Sequence, residues 1–272
     1  MNRNLKIGIV GLGLIGGSIF KALCALRCNI YAVSNSNFTL QKAKQYCENV
    51  SKSLGILQDC DVIFVCTHIN KTTEILDKLD EILSSNTVVA DVCSLKRFVS
   101  LKKRNYKFIP THPMAGTEFS GFDSSFEALF QGTKWVLTPF EGTKDSDIKR
   151  VADIIKVLGA DPIFTSPNEH DEAVALISHM PMLVSQAIFK TAQSNKLALR
   201  LASSGFRDMT RLALTNEEMA KDMIDLNSDN VQSSILKLYS SIGDLLNKDY
   251  PTQIREIIKE RQSMYVDGKN GL

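Results

Sequence analysis

Two short stretches carry the side chains most suited to proton chemistry. His112 stands in Thr111-His112-Pro113-Met114-Ala115-Gly116-Thr117-Glu118, directly after an apolar run. Ser94 stands in Asp91-Val92-Cys93-Ser94-Leu95-Lys96, directly after another. Imidazole titrates near neutral pH, so a histidine between a strand end and a proline-glycine loop, out of regular structure, is a candidate general base. Ser94 at a neighbouring strand end would orient it or its target hydroxyl. The plainer alternative is a solvated loop histidine.

Gly11-Leu12-Gly13-Leu14-Ile15-Gly16 reads G-x-G-x-x-G and falls between an apolar strand-like run and a helix-like run. In that setting each glycine has a mechanical task. Gly11 turns the chain, Gly13 lets a pyrophosphate approach the backbone, and Gly16 lets helix and strand pack closely. The helix N-terminus, with Leu14 and Ile15 in its first turn, offers free N–H groups to a diphosphate. The cofactor is therefore NAD or NADP. Val33-Ser34-Asn35-Ser36-Asn37 ends the second strand with neither an acid to bond a ribose 2′-hydroxyl nor an arginine to bind a 2′-phosphate. Ser34 and Asn35 either donate to a phosphate or form a turn, and the reading leans to NADP. Thr67 and Asp91 follow further strands at the carboxyl ends, where open α/β sheets bind ligands.

The second part of the chain holds His170 and His179, nine residues apart. On one straight helix that is about 2.5 turns, so they diverge and form no metal pair. Arg207 and Arg211 are four apart and share a helix face, where one or both could clamp a carboxylate; local pairing of Arg207 with Asp208 is the alternative.

These residues must be held by an ordered scaffold. Strand-like runs at Lys6–Val10, Ile30–Val33, Val62–Cys66 and Thr87–Ala90 alternate with helix-like runs, which points to a parallel doubly wound sheet. Lys107–Ile109, Trp135–Leu137 and Pro162–Phe164 add shorter strands. After Pro167 the texture changes to helix alone: Glu169–Ala192, Lys196–Leu201, Glu217–Leu226, Val231–Leu246 and Gln253–Met264. The expected domains are 1–165 and 166–272.

Composition fits a globular protein, with 44% hydrophobic and 23% charged residues in 272. A net charge of +2 gives no electrostatic reason to invoke nucleic acid or an anionic membrane. No run reaches the roughly 18 apolar residues of a membrane span. Ile7–Phe20 is uncharged after Arg3 and Lys6, but it is too rich in glycine for a signal-peptide core. All six cysteines lie in the first third and none forms a C-x-x-C pair. A reducing cytoplasmic setting, no disulfide and no metal site are expected.

Taken together, the stretches GLGLIGGS (11–18), DVCSLK (91–96), THPMAGTEFSGFDSS (111–125), FQGTKWVLTP (130–139), EHDEAVALISHMP (169–181) and GFRDMTRLA (205–213) resemble the prephenate/arogenate dehydrogenase family of tyrosine biosynthesis. They run in family order over most of the chain. The resemblance implies a Rossmann-type nucleotide domain followed by an all-helical dimerisation domain, and a homodimer. It implies oxidative decarboxylation of a cyclohexadienyl substrate, with hydride passing to a nicotinamide. By match to the family, His112 is the base and Ser94 orients it or the hydroxyl. Arg211 binds substrate carboxylate, Thr117 and Glu118 line the mouth, and His170 and His179 are further site histidines.

Two positions depart from the family pattern. The family often reads S-H-x-P-H, and here Met182 takes the last place; some arogenate-using members also carry an apolar residue there. A tryptophan common after the GFRDxTR stretch is replaced by Ala220. Two other classes stay open on residues alone. A β-hydroxyacid-type dehydrogenase would need a lysine base such as Lys190, and a non-catalytic cofactor sensor would need no His112.

Overall fold

The computed structural model describes residues 5–117, 119–247 and 250–266. By backbone contacts the chain divides after Asn168 into two compact units. In the first, five strands alternate with helices: β1 (Lys6–Val10), α1 (Leu14–Ala25), β2 (Asn29–Val33), α2 (Asn37–Ala43), β3 (Val50–Ser51), β4 (Val62–Val65), α3 (Ile69–Asp80), β5 (Val88–Asp91) and the short α4 (Lys96–Val99). With β6 (Lys107–Ile109) they form one sheet in the order β3-β2-β1-β4-β5-β6, every pair parallel. That order is the one known for dinucleotide-binding doubly wound sheets. Helices on both faces explain why β4 and β5 read as unbroken apolar runs: all eight of their residues are buried.

At Pro110 the chain leaves this sheet. The strand β7 (Thr111–Pro113) pairs antiparallel with β8 (Lys134–Leu137), and β8 pairs parallel with β9 (Asp161–Phe164). His112 is thus not in a loop, as the sequence suggested, but inside a short strand opposite Val136. Pro113 beside it reads as a strand breaker, yet proline is tolerated in an edge strand, and β7 is the edge of its sheet. Between β8 and β9, α5 (Asp145–Val157) stops at Gly159, whose φ of +89° suits a left-handed cap. Trp135, fully buried, packs against Phe64 and Phe130 and joins the two sheets through one core.

The second unit is helical throughout its described residues. Its elements are α6 (Pro167–Val174), α7 (Met180–Ala192), α8 (Lys196–Leu201), α9 (Ser204–Met209), α10 (Glu217–Leu226), α11 (Ser228–Asn247) and α12 (Tyr250–Val266). A single π-helical turn, Ala175–His179, joins α6 to α7 without a break. By length and composition alone the resulting rod Pro167–Ala192 is enough to cross a membrane, which corrects the expectation that no such segment exists. It is nevertheless built into this unit, because His170, Asp171 and His179 are buried along it and Asn227 hydrogen-bonds to it.

Candidate active site

The phosphate-cradle glycines are explained by what a side chain would meet. Gly11 has φ +90°, and a Cβ there would sit 2.7 Å from the Cys66 carbonyl oxygen. A Cβ on Gly16 would overlap the Gly11 carbonyl oxygen. A Cβ on Gly13 would meet nothing within 4 Å. Gly11 and Gly16 are therefore required by the fold, whereas Gly13 faces open space at the helix N-cap. That space is what a diphosphate would need to reach the first-turn amides of Leu14 and Ile15. The donor set fits a dinucleotide.

Beyond β2, the Ser34 side chain is mostly buried and its Oγ accepts from the Ser36 amide at 3.3 Å. Ser36 in turn caps α2 by accepting from the Thr39 amide. Asn35 is exposed. The turn reading of this segment is the one that the contacts carry. Thr67, half-buried, shares a 2.9 Å hydrogen bond with Thr72.

Asp91 is the clearest correction. Its side chain has no exposure, and both carboxylate oxygens are engaged inside the protein. Oδ2 accepts from Lys96 Nζ at 2.5 Å and from the Cys93 amide at 2.8 Å, and Oδ1 accepts from the Thr111 amide at 3.1 Å. A carboxylate so placed cannot touch a cofactor with its side chain; it builds the site instead. Lys96 also donates to the Thr111 carbonyl, Thr111 Oγ1 donates to the Asp91 carbonyl, and Trp135 Nε1 donates to Thr111 Oγ1 at 2.9 Å. The end of β5, the Ser94 loop and the first residue of β7 are thereby bound into one buried network. Ser94 and His112, both half-buried, are the chain neighbours of its members Cys93 and Thr111.

The loop after His112 is docked separately. Lys21 on α1 donates to the carbonyls of Ser125 (2.6 Å) and Phe122 (3.3 Å), and its ammonium lies 4.7 Å from the Phe122 ring centre. Burial is the main force holding the Lys21 pKa below the usual lysine value, with Lys42 adding to it against the raising pull of Asp123 and Glu127. Ser18 Oγ accepts from the Phe126 amide. Within the loop Thr117 is exposed and its Oγ1 accepts from the Phe119 amide. Glu118 lies outside the described residues.

In the second unit the two histidines do not diverge as a straight helix requires. The π turn between them takes up about one extra residue and brings the phases of α6 and α7 together. His170 Nδ1 lies 2.7 Å from Asp171 Oδ1, and Asn227 lies within hydrogen-bond reach of both the Asp171 carbonyl (2.8 Å) and His179 Nδ1 (3.2 Å). Burial is the main force on His179 and drives its pKa down to about 4, against the raising pull of Asp171. Both rings are nearly closed to solvent, at 3% and 1% exposure. His170 and His179, expected to be further site histidines, are thus enclosed by contacts within this unit. Met182, at the departing family position, is likewise buried, at 3%.

Arg207 and Arg211 do not share a helix. Thr210 ends α9, its Oγ1 donating back to the Phe206 carbonyl at 2.7 Å, and Arg211 opens a separate 3₁₀ turn, Arg211–Leu214. Arg207 lies 3.8 Å from Asp208, the local pair. Arg211 is exposed.

Sequence reasoning quoted Lys96, Thr111 and Asp171 within motifs but gave them no task, and it missed Asn227 altogether. An acid and a lysine five apart around a strand end was the available signal for Lys96. Asn227 carried none, since it lies 48 positions from His179 in a polar link between helices.

Comparison with known proteins bears on the whole chain. Residues 22–164 match the family described as prephenate dehydrogenase, nucleotide-binding domain, and residues 166–261 match prephenate dehydrogenase, dimerization domain. A cyclohexadienyl dehydrogenase of Zymomonas mobilis is 28% identical, covering 96% of each chain. A prephenate dehydrogenase of Bacillus subtilis is 26% identical over 82% of this chain, which spans 64% of that longer protein. Among solved structures, Synechocystis arogenate dehydrogenase superposes with a TM-score of 0.80 at 32% identity, covering 98% of this chain and 100% of that one. Prephenate dehydrogenase of A. aeolicus, in complex with hydroxyphenyl propionate and NAD+, gives 0.81 at 27% identity, covering 97% and 98%. With both family domains matched in sequence order on the sheet and helical units described above, the chain belongs to the prephenate dehydrogenase family of oxidoreductases.

Proposed function

We propose that the protein catalyses the NAD(P)-dependent oxidative decarboxylation of prephenate, arogenate or both, giving 4-hydroxyphenylpyruvate or tyrosine. The observation that supports this reading is the buried Asp91–Lys96–Thr111 network, which ties the end of β5, just before Ser94, to the first residue of β7, just before His112. The substrate ring bears a hydroxyl and a hydrogen on one carbon and a carboxylate on the opposite carbon. His112 takes the hydroxyl proton as the carbonyl develops, and Ser94 orients the imidazole or the hydroxyl. Loss of carbon dioxide then makes the ring aromatic. A bound nicotinamide supplies the hydride acceptor. Gly11, Gly13, Leu14, Ile15 and Gly16 would hold its diphosphate, with Ser34, Asn35 and Thr67 beside the nucleotide.

Cofactor choice leans to NADP, on the absence of an acid after β2. By its motif position Arg211 anchors a substrate carboxylate, with Thr117 and Glu118 at the mouth. Lys190, the base a β-hydroxyacid-type enzyme would use, is exposed on α7 and does not compete with His112 for that role. Free cysteines suit a reducing cytoplasm.

A homodimer follows from the second unit. Only 28% of the most apolar window of Pro167–Ala192 is buried within the chain, and Leu236, Tyr239 and Leu246 on α11 are 70–79% exposed along one face. Such surface is covered when two copies meet. A steady-state matrix tests the reading as a whole: prephenate and arogenate, each with NAD and NADP. Turnover in at least one combination is expected, and no turnover in any of the four overturns it.

A further inference from the structure

The loop after His112 is held at its two ends. At the start, β7 ends at Pro113 and the Met114 amide donates to the Lys134 carbonyl at 2.8 Å. Then Gly116, Thr117, Phe119, Ser120 and Gly121 are all exposed. Hydrogen bonds in this span are local, between Thr117 and Phe119 and from Ser124 back to the Ser120 carbonyl. At the far end Phe122 and Ser125 are buried, and hydrogen bonds link this end to α1 and α2, 81 to 108 positions away in the chain. The Phe122 ring meets Phe20 of α1 and Tyr46 just beyond α2, with centres 6.2 Å apart in both cases. Lys21 of α1 donates to the Phe122 and Ser125 carbonyls. Lys42 of α2 lies 2.5 and 2.6 Å from the two carboxylate oxygens of Asp123, and its ammonium is 4.1 Å from the Phe38 ring centre.

We propose that Lys21 and Lys42 are positioning residues for substrate recognition: they fix the far end of this loop, and through it the exposed span that carries Thr117, on the first two helices of the nucleotide-binding unit. The inference rests on the proposed function only in taking Thr117 as part of the substrate mouth. α1 opens at the glycine cradle, and α2 opens just after Ser34 and Asn35. The mouth is thereby hung from the same frame that would hold the cofactor. A short span tied at both ends shifts at its middle whenever either tie shifts.

The two lysines add what the aromatic contacts lack. Burial of the Phe122 ring is favourable but non-directional, whereas charge-assisted hydrogen bonds from an ammonium fix where particular oxygens lie. Lys21 acts on backbone carbonyls, so it sets the course of the chain itself. Lys42 acts on the Asp123 side chain, in a pair whose members are 34% and 66% exposed. Exposed pairs contribute little to stability. Breaking this one is therefore expected to change where the loop sits and to leave the protein folded.

Charge reversal in the full-length protein tests this. Lys42→Met and Asp123→Asn break the pair, and the double change Lys42→Glu, Asp123→Lys restores it with opposite sign. Each single change should raise KM for the cyclohexadienyl substrate by about three- to fivefold, the upper range for an exposed pair. The reversed pair should return to the wild-type value. Lys21→Met should raise the same KM by at least about tenfold, with Lys21→Arg recovering most of it. In all of them kcat and the KM of NAD and NADP should stay within about twofold. A second measurement needs no turnover. Chymotrypsin cleavage after Phe119, identified by mass, should speed up about threefold or more in Lys42→Met and Lys21→Met and slow again in the reversed pair. Wild-type KM and cleavage rate in the pair-breaking variants overturn the proposal, as does failure of the reversed pair to restore them. A loss of NADP affinity alone makes Lys42 a cofactor contact and overturns it too. A wild type that turns over neither prephenate nor arogenate overturns the functional reading instead, and the cleavage rates then decide this proposal.

Discussion

The Lys96 ammonium lies 2.5 Å from Asp91 Oδ2, and neither side chain has any exposure. An isolated charge in that position would be expensive, and the pair is tolerated because hydrogen bonds from Cys93 and Thr111 complete the carboxylate. Removing one partner strands the other. Lys96→Ala is expected to cost roughly 3–5 kcal/mol in urea unfolding. The double change Asp91→Leu, Lys96→Met should recover part of that stability without recovering turnover, because Thr111 and Ser94 lose their tether. A single-variant loss below about 1 kcal/mol, the range of an exposed pair, would show that the pair is solvated.

His112→Asn keeps hydrogen bonding but cannot accept a proton. Its rate should fall by about 100- to 10,000-fold, while cofactor binding measured by fluorescence titration stays within a few-fold, because the glycine cradle is elsewhere. Activity within a few-fold of wild type removes His112 from the base role.

Ser34→Asp places a carboxylate just beyond β2. If Ser34 lies beside the ribose, the ratio of kcat/KM for NADP over NAD should fall by at least about tenfold, through repulsion of the 2′-phosphate. An aspartate at this position accepts from the Ser36 amide as the Ser34 hydroxyl does, so the turn itself should be kept. An unchanged ratio means that the segment after β2 does not read the ribose.

Arg211→Ala should raise KM about 10- to 100-fold, since a charge-assisted hydrogen bond is worth roughly 1.5–3 kcal/mol, and kcat should fall less than kcat/KM. Lysine should rescue only part, lacking the planar fork. Arg207→Ala, already paired with Asp208, is the internal control. A strong KM effect from Arg207 with none from Arg211 reverses the assignment.

His179 links stability to pH. Its folded pKa, about 4, lies below the ordinary histidine value of 6.5. The unfolded chain therefore binds the extra proton first as pH falls. The stabilisation is complete above pH 6.5 and is lost as pH falls from 6.5 towards 4. Asp171 and His170 face the ring, with opposite effects, and Asn227 bonds it. His179→Gln should melt lower at pH 7 and show a smaller drop between pH 7 and pH 5. Parallel losses in wild type and variant would place the titration elsewhere.

Much of the scaffold was legible because burial on both sides of a parallel sheet leaves unbroken apolar runs, as at Val62–Val65 and Val88–Asp91. Glu217–Leu226 was legible from end to end, since its amphipathic spacing starts after an Asn216 cap. What stayed hidden depends on contacts between distant positions. His112 looked like a loop residue because a three-residue strand beside proline has no periodicity of its own; only its pairing with Val136 makes it a strand. Asp91 looked like a ligand contact because its place at a strand end is visible, but its burial depends on Lys96 and Thr111. The break at Thr210, which separates Arg207 from Arg211, rests on one local hydroxyl bond.

The π turn at Ala175–His179 makes chain length within one rod a coded angle. Seen along its axis, such a helix is an α-helix carrying one surplus residue, and each residue is worth about 100° of rotation. Deleting one of Leu176, Ile177 or Ser178 removes that surplus: the rod becomes α-helical from end to end, and His170 and Asp171 keep the side from which Asn227 reaches His179. Adding a residue elsewhere in the rod has no such outlet and turns everything upstream relative to everything downstream by about 100°. The segment stores the loss of one residue and has no room for the gain of one.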